Sequence, residues 1–188
     1  MRDLFTSTLV VLAMTIILGI VYPLTVSGIA QTFFPVHANG SLIRNTKGEV
    51  IGSELIGQNF TSPVYFHGRL SSAGNGYDAA ASGGSNLGPT SEKLIKRVMA
   101  DAASTGSDNP GVPIPADLVT TSASGLDPHI SPAAADFQVP RVARYRGLTE
   151  SKVRAIVERF TEGRQLGILG EPRVNVLLLN IELDRIRN

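Results

Sequence analysis

The chain has 188 residues, with 17 Lys and Arg against 16 Asp and Glu, and no cysteine. This near-neutral balance counts against nucleic acid as the main partner, because proteins that bind nucleic acid carry a basic face or stripe. The lack of cysteine excludes disulfides and thiolate metal sites. The length fits a membrane anchor followed by one soluble domain of ordinary size.

The stretch from Leu4 to Ala30 contains no charged side chain over 27 residues. As a helix it would be about 40 Å long, which exceeds the roughly 30 Å hydrocarbon core of a bilayer. We therefore predict a single N-terminal transmembrane α-helix, with residues 1–34 as a membrane anchor. Pro23 removes one backbone hydrogen bond, so we expect a kink or a thinning of the helix there.

A cleaved secretory signal peptide is the alternative to an anchor. Gly28-Ile29-Ala30 offers the small residues that a signal peptidase prefers. However, the apolar run is much longer than the usual segment of about 7 to 15 residues, and the positive region is only Arg2 beside Asp3. These two features favour an uncleaved anchor.

A polar stripe runs along the predicted helix, where Thr8, Thr15 and Tyr22 recur every seven residues and Gly19 falls on the same face. Thr15 and Gly19 are spaced as the small-xxx-small pair that lets two membrane helices approach closely. We predict that this stripe packs on a neighbouring helix. The alternative is that the hydroxyl groups simply bond to their own backbone in lipid.

Residues 35–188 are predicted to form one soluble α+β domain. Segments Ser41–Arg44 and Glu49–Ile56 flank a turn with Gly48, which indicates a β-hairpin. The next segment, Phe60–Thr90, is rich in Gly, Ser, Ala and Asn. A loop of this length is uncommon unless it has a binding role.

Helical patterns occupy most of the rest of the domain, apart from one short apolar run at Leu118-Val119 that predicts a strand. The first expected helix is Ser91–Ser104. The second is capped by Ser131 and ends near Gln138 because of Pro140, and the third is capped by Thr149 and ends at Gly163. The last is a buried helix, Arg173–Ile186, which a short strand at 174–176 can precede. The mixture of a hairpin and helices indicates the α+β class.

The candidate nucleotide-binding or partner-binding loop consists of Ser82, Gly83, Gly84, Ser85, Asn86, Leu87 and Gly88, named the glycine-rich segment below. With Pro89 and Thr90 it has the glycine spacing of the phosphate-binding motif G-x-x-x-x-G-K-[ST]. Pro89 takes the position of the lysine and also lacks a backbone N–H, so the segment is not an autonomous phosphate site. The alternative is a tight, glycine-rich turn packed on a partner or on its own core.

No catalytic residue and no metal ligand is predicted. The three histidines are far apart and lack metal-ligand spacing. Asp127-Pro128-His129 with Ser82 or Ser131 would be needed for a hydrolase, but the nucleophile-elbow motif is missing.

A locally basic region extends from Arg141 to Arg164, where seven cations outnumber three glutamates. We predict a solvated face for it. Docking on an acidic partner or on anionic headgroups is the alternative.

Long motifs along nearly the whole chain carry a resemblance to one family. They are Tyr22-Pro23, ANGSLI (38–43), GSELIGQNF (52–60), YFHGR (65–69), AASGGSNLGPT (80–90), SGLDPHISPAAA (124–135), VPRVA (139–143) and LGEPRVNVLLLN (169–180). In these the chain resembles the C subunit of the Kdp potassium-importing P-type ATPase.

The resemblance implies an accessory, non-catalytic subunit of an ATP-driven potassium importer in the bacterial inner membrane. Its partners would be a channel-like potassium-binding subunit, the P-type catalytic subunit and the lipid bilayer, with no nucleic acid. The family is described as a catalytic chaperone that assists assembly and raises the ATP affinity of the catalytic subunit, so ATP would be bound only together with that subunit. The amino terminus would be cytoplasmic and the soluble domain periplasmic. A purely structural periplasmic subunit without a nucleotide role is the alternative.

Overall fold

The computed structural model of the chain describes residues 1–187. The chain divides into two compact units, Met1–Ser53 and Glu54–Asn188. The boundary predicted between residues 34 and 35 marks the end of the long helix, which stops at Phe33. The compact units divide later, after the first hairpin.

The first unit begins with one continuous helix. It consists of α1 (Arg2–Ile16), a π-helical turn (Ile17–Val21) and α2 (Tyr22–Phe33). With 32 residues it is the one helix within residues 1–187 that is long and apolar enough to cross a bilayer, and none of its residues is buried. The prediction of an N-terminal membrane helix followed by an α+β region is confirmed.

A kink or a thinning of the helix was expected at Pro23, whereas the structure has a π-helical turn, which is wider than an α-helical turn, directly before it. The backbone N–H of Tyr22 donates to the carbonyl of Ile17, five residues back instead of four. In a regular α-helix the proline ring would clash with the carbonyl of Gly19, and a wider turn moves that carbonyl aside. Gly19 therefore lies inside the widened turn.

The rest of the first unit is a short helix and a hairpin. These are α3 (Pro35–Ala38), β1 (Leu42–Arg44) and β2 (Val50–Ser53), with the two strands antiparallel. Gly48 has a φ of +82°, the left-handed conformation that a glycine adopts without strain. The predicted hairpin is confirmed, although its second strand ends at Ser53 instead of Ile56.

The second unit contains helices and one small sheet. Its elements between Glu54 and Arg187 are α4 (Glu92–Gly106), β3 (His129–Ile130), α5 (Pro132–Arg146), α6 (Glu150–Arg159), β4 (Thr161–Glu162), β5 (Arg173–Asn175) and α7 (Val176–Arg187), besides two short 3-10 turns at Ala79–Ala81 and Ala116–Leu118. The sheet is antiparallel, in the order β3-β5-β4. Helix α5 follows β3 and helix α7 follows β5, and because the two strands are antiparallel the two helices leave the sheet at opposite ends of this pair.

The core lies between α5, α6, α7 and the sheet. Its largest apolar members are Phe66, Leu118, Ile130, Phe137, Val139, Val142, Val153, Ile156, Val157, Val174, Val176, Leu179 and Leu183. Both predicted helix caps are confirmed, since the hydroxyl of Ser131 accepts from the N–H of Ala134 and that of Thr149 accepts from the N–H of Lys152.

The predicted end of α5 at Gln138 is wrong, because the helix continues through Pro140 to Arg146. The lost hydrogen bond concerns the carbonyl of Asp136, an exposed residue. On both sides of Pro140 the helix buries Phe137, Gln138, Val139, Arg141, Val142 and Ala143. Burial along this face outweighs the roughly 3 kcal/mol that an interior proline costs a helix.

Two further predictions also fail. Leu118 lies in a 3-10 turn and not in a strand. Helix α6 ends at Arg159 instead of Gly163, because Thr161–Glu162 pairs with β5 as a strand. The C-terminal prediction of a short strand followed by a buried helix is confirmed, with the strand at Arg173–Asn175.

Candidate functional site

The glycine-rich segment is irregular and packs against residues 123–125. The backbone N–H of Gly83 and the hydroxyl of Ser82 both donate to the carbonyl of Ser124, at 2.9 and 3.0 Å. A Cβ on Gly84 would lie 3.0 Å from the carbonyl oxygen of Ala123. The first half of the segment is therefore held by residues 123–125 of the same unit.

The second half of the segment is more open. Asn86 and Gly88 are exposed, and Asn86 has a φ of +50°. A phosphate-binding loop needs several free backbone N–H groups together with a lysine. In this chain the N–H of Gly83 is already bonded, and Pro89 supplies neither an N–H nor a charge. The segment alone does not have the groups needed to bind the phosphates of a nucleoside triphosphate. Its role as a nucleotide-binding or partner-binding loop stays a prediction.

Gly125 is the point at which three stretches of chain meet. It has a φ of +68°, and a Cβ there would lie 2.7 Å from the backbone nitrogen of Ala73 and 2.9 Å from the carbonyl oxygen of Gly83. The hydroxyl of Ser71 donates to the carbonyl of Gly125 and accepts from the N–H of Tyr77. The position of the glycine-rich segment thus depends on residue 125 being a glycine, which has no Cβ.

A cleft of about 550 Å³ has Arg69, Asp127 and His129 among its lining residues. In it Arg69 reaches Asp127 at 3.3 Å and the carbonyl of Thr121 at 3.2 Å, while the Nδ1 of His129 lies 3.4 Å from Asp127. The hydrogen bond from His129, together with the nearby charge of Arg69, lowers the pKa of the Asp127 carboxyl. The Nε of Arg69 is buried without a partner among residues 1–187.

Among the described residues that line this cleft, the one serine hydroxyl is that of Ser131, and it is already engaged. The hydroxyl of Ser131 donates to Asp117 and caps α5, so it is not aligned with His129. Within residues 1–187, no group of three or more His, Cys, Asp or Glu residues is placed to hold a metal ion. The pair Asp127 and His129 orders the turn before β3, since the N–H of His129 also donates to Asp127.

Polar side chains from two helices hold the segment Pro63–His67, named the clamped segment below. The amide of Asn180 accepts from the N–H of Phe66 at 2.8 Å and donates to its carbonyl at 2.9 Å. The amide of Gln138 bonds His67 in the same reciprocal way, at 2.8 and 3.1 Å. These two side chains supply the backbone partners that a neighbouring strand would otherwise provide.

Two arginines also bind the clamped segment. Arg141 donates to the carbonyls of Pro63 and Tyr65 and forms an ion pair with Asp108 at 2.8 Å. Arg146 donates to the carbonyl of Val64. The side chains of Arg141 and Arg146 are only 3% and 2% exposed, so the prediction of a solvated basic face is wrong for these two residues.

These contacts to the clamped segment were not predicted from the sequence, although a signal was present. Gln138 and Asn180 lie among apolar residues on helix faces that turn inward, and buried amides are nearly always hydrogen-bonded. Burial, followed by the charge of Arg141, lowers the pKa of His67. The Nε2 of His67 lies 3.1 Å from the carbonyl oxygen of Ser62.

Hydrogen bonds within the membrane helix account for only part of its polar stripe. The hydroxyls of Thr8 and Thr15 donate to the carbonyls of Leu4 and Val11, four residues earlier. A Cβ on Gly19 would meet nothing within 4 Å. Whether Thr8, Thr15, Gly19 and Tyr22 pack on another helix stays a prediction.

Comparison with known proteins agrees with the motifs. A family model described as "KdpC: K+-transporting ATPase, c chain" matches residues 4–185, which include the helix and most of the second unit. A relative from Koribacter versatilis is 57% identical over 183 residues, covering 97% of this chain and 94% of its own length. A relative from Caulobacter vibrioides is 59% identical over 170 residues, covering 90% of this chain and 86% of its own length. A relative from Myxococcus xanthus is 54% identical over 188 residues, covering 98% of this chain and 89% of its own length. All three relatives are named potassium-transporting ATPase KdpC subunit. The chain therefore belongs to the KdpC family, the c chains of K⁺-transporting ATPases.

Proposed function

We propose that this chain is a non-catalytic, membrane-anchored accessory subunit of a potassium-importing P-type ATPase, which assists assembly and raises the ATP affinity of the catalytic subunit. The observation that carries the proposal is the family match over residues 4–185, which covers most of the membrane helix and most of the second unit. Its partners are the channel-like potassium-binding subunit, the P-type catalytic subunit and the surrounding lipid.

The proposed site of action is the bacterial inner membrane, with a cytoplasmic amino terminus and a periplasmic soluble part. Long C-terminal domains are translocated largely regardless of their charge, which is compatible with this orientation. The glycine-rich segment would then face a compartment that contains little ATP. An effect on ATP affinity must therefore be conformational, because the segment does not supply a phosphate site of its own.

Cysteine labelling tests the orientation, since the chain has no cysteine. We expect a cysteine at exposed Thr90 to react with a membrane-impermeant thiol reagent added to spheroplasts. A cysteine at Asp3 should react only after the membrane is permeabilised. Labelling of Asp3→Cys alone in intact spheroplasts would contradict the periplasmic assignment.

Linkage between ATP and subunit binding tests the chaperone role. If this subunit raises the ATP affinity of the complex by some factor, ATP must tighten the binding of this subunit by the same factor. We expect roughly a 5-fold to 100-fold change, the usual range for such coupling. The two measurements are the ATP affinity of the complex with and without the subunit, and the affinity of the subunit with and without a non-hydrolysable ATP analogue. If neither affinity changes while the subunit stays bound, the purely structural role is the correct one.

The predicted helix stripe leads to a matched pair of variants. Gly19→Leu should weaken co-purification with the other subunits, because a leucine would hold a neighbouring helix away from the backbone. Gly28→Leu is the control, since Gly28 also has nothing within 4 Å and lies about half a turn round the helix. The expected loss is about 1 kcal/mol, so roughly a fivefold weaker association. Equal retention of both variants in detergent would mean that the helix serves as a tether only.

A further inference from the structure

Three large apolar side chains protrude from the turn between β4 and β5. Leu166 is 89% exposed, Ile168 is 74% exposed and Leu169 is 53% exposed. We name these three residues the apolar tip. Single exposed apolar residues are normal on protein surfaces, whereas a cluster at one protruding point marks an interaction surface.

The turn that carries the apolar tip is held rigidly. Gln165 and Leu169 exchange two backbone hydrogen bonds, both of 2.9 Å, and the N–H groups of Gly167 and Ile168 donate to carbonyls within the turn. Below it, Arg164 donates to both carboxylate oxygens of Glu171, at 2.8 and 2.7 Å. The exposure is therefore a property of an ordered turn, and four of its backbone N–H groups already have partners. Such a turn can enter an apolar pocket without leaving these donors unsatisfied.

The backbone at Leu166 is also unusual. Its φ is +53°, in the left-handed region where asparagine and glycine are tolerated and a leucine is strained. Because the side chain is 89% exposed, packing within the unit does not offset this strain. A leucine at this position is consistent with a contact that the isolated chain lacks.

The charges around the apolar tip favour a protein over a lipid surface as its partner. Arg164 pairs with Glu171, and Arg173 pairs with Glu162 at 2.9 Å, so the rim carries no net charge. Segments that bind anionic membranes usually add an excess of Lys and Arg, and often Trp, to their apolar residues. An apolar centre within a charge-balanced polar rim is the arrangement of a protein interface.

We propose that the apolar tip inserts into an apolar pocket, lined by aliphatic or aromatic side chains, on another subunit of the same ATPase complex. The proposal rests on the proposed function, which makes this chain a subunit with stable neighbours. Leu166 and Ile168 would be the anchor residues, and the paired charges below them would form the polar rim. A few well-buried anchors of this kind usually carry most of the affinity of an interface.

Two asparagine substitutions test the anchors without endangering the fold. Leu166→Asn places a residue that tolerates the left-handed conformation, so the melting temperature should be unchanged or higher. Ile168→Asn removes the second anchor. Each should weaken association with the other subunits roughly 10-fold to 30-fold, measured as the amount retained on dilution of the purified complex. Val112→Asn, at a 46% exposed loop position outside the tip, is the matched control. Retention of both tip variants at the level of the control would overturn the proposal.

A fluorescent label identifies what covers the tip. Gln165→Cys, next to the anchors, can carry an environment-sensitive dye because the chain has no other cysteine. We expect a blue shift in the assembled complex but not with this chain alone in lipid nanodiscs. A blue shift in nanodiscs without the other subunits would overturn the proposal in favour of the bilayer, and no shift in an intact complex would overturn it in favour of a free tip. Failure of the unmodified chain to co-purify with the other subunits would instead overturn the proposed function.

Discussion

Asn180→Leu is expected to lower the free energy of unfolding of the second unit by about 3 kcal/mol, or roughly 10 °C in melting temperature. Asn180 is 1% exposed, and its amide satisfies both the N–H and the carbonyl of Phe66, which is itself fully buried. Leucine fills a similar volume but leaves these two backbone groups without partners. Each buried unsatisfied group costs about 1–3 kcal/mol. The measurement is thermal unfolding of the detergent-solubilised chain, followed by near-ultraviolet circular dichroism of its tyrosines.

Asn109→Leu is the control for the substitution at Asn180. Its side-chain amide donates to the carbonyl of Phe137 at 3.2 Å, at a partly exposed position. Solvent can replace that bond, so we expect a loss of about 1 kcal/mol or less. Equal losses for the two variants would mean that the clamped segment is not held by Asn180. Gln138→Leu should show non-additive loss when combined with Asn180→Leu, because both amides hold neighbouring residues of one segment.

Gly125→Ala is expected to destabilise the second unit by roughly 2–4 kcal/mol and to displace the glycine-rich segment. A methyl group at this position would lie 2.7 Å from the nitrogen of Ala73 and 2.9 Å from the carbonyl oxygen of Gly83. Both are backbone atoms, which cannot rotate away as the end of a side chain can. Overpacking of this kind costs about 1–3 kcal/mol, and the φ of +68° adds roughly 1 kcal/mol for any residue with a Cβ. Thermal unfolding gives the first quantity, and amide hydrogen exchange of residues 71–84 reports the displacement.

Gly147→Ala separates the two contributions. Gly147 ends α5 with a φ of +66°, but a Cβ there would meet nothing within 4 Å. This control should lose only the conformational part, about 1 kcal/mol, and its hydrogen exchange near the glycine-rich segment should match that of the unmodified chain. If Gly125→Ala behaved like Gly147→Ala, the three stretches that meet at Gly125 would be free to separate.

Elements governed by neighbouring residues were predicted well. The uncharged run of 27 residues predicts the membrane helix, since composition and length suffice for that inference. Ser131 and Thr149 predict two helix starts, because a cap bonds an N–H only three residues away. Gly48 predicts the first hairpin for the same local reason. In the candidate site, the replacement of the lysine by Pro89 already argued against an autonomous phosphate loop.

What the sequence by itself determined is therefore the membrane helix, the helix starts, the first hairpin and, through its long motifs, the family. The tertiary structure decided the features that depend on distant partners. Helix α5 continues through Pro140 because its inward face is buried on both sides of the proline. Arg141 and Arg146 turn inward because the carbonyls of the clamped segment, about 80 residues earlier, need donors. The sequence specifies the type of each side chain but not the distant backbone group with which it forms a hydrogen bond. Those partners are set only when the folded chain buries the two groups next to each other.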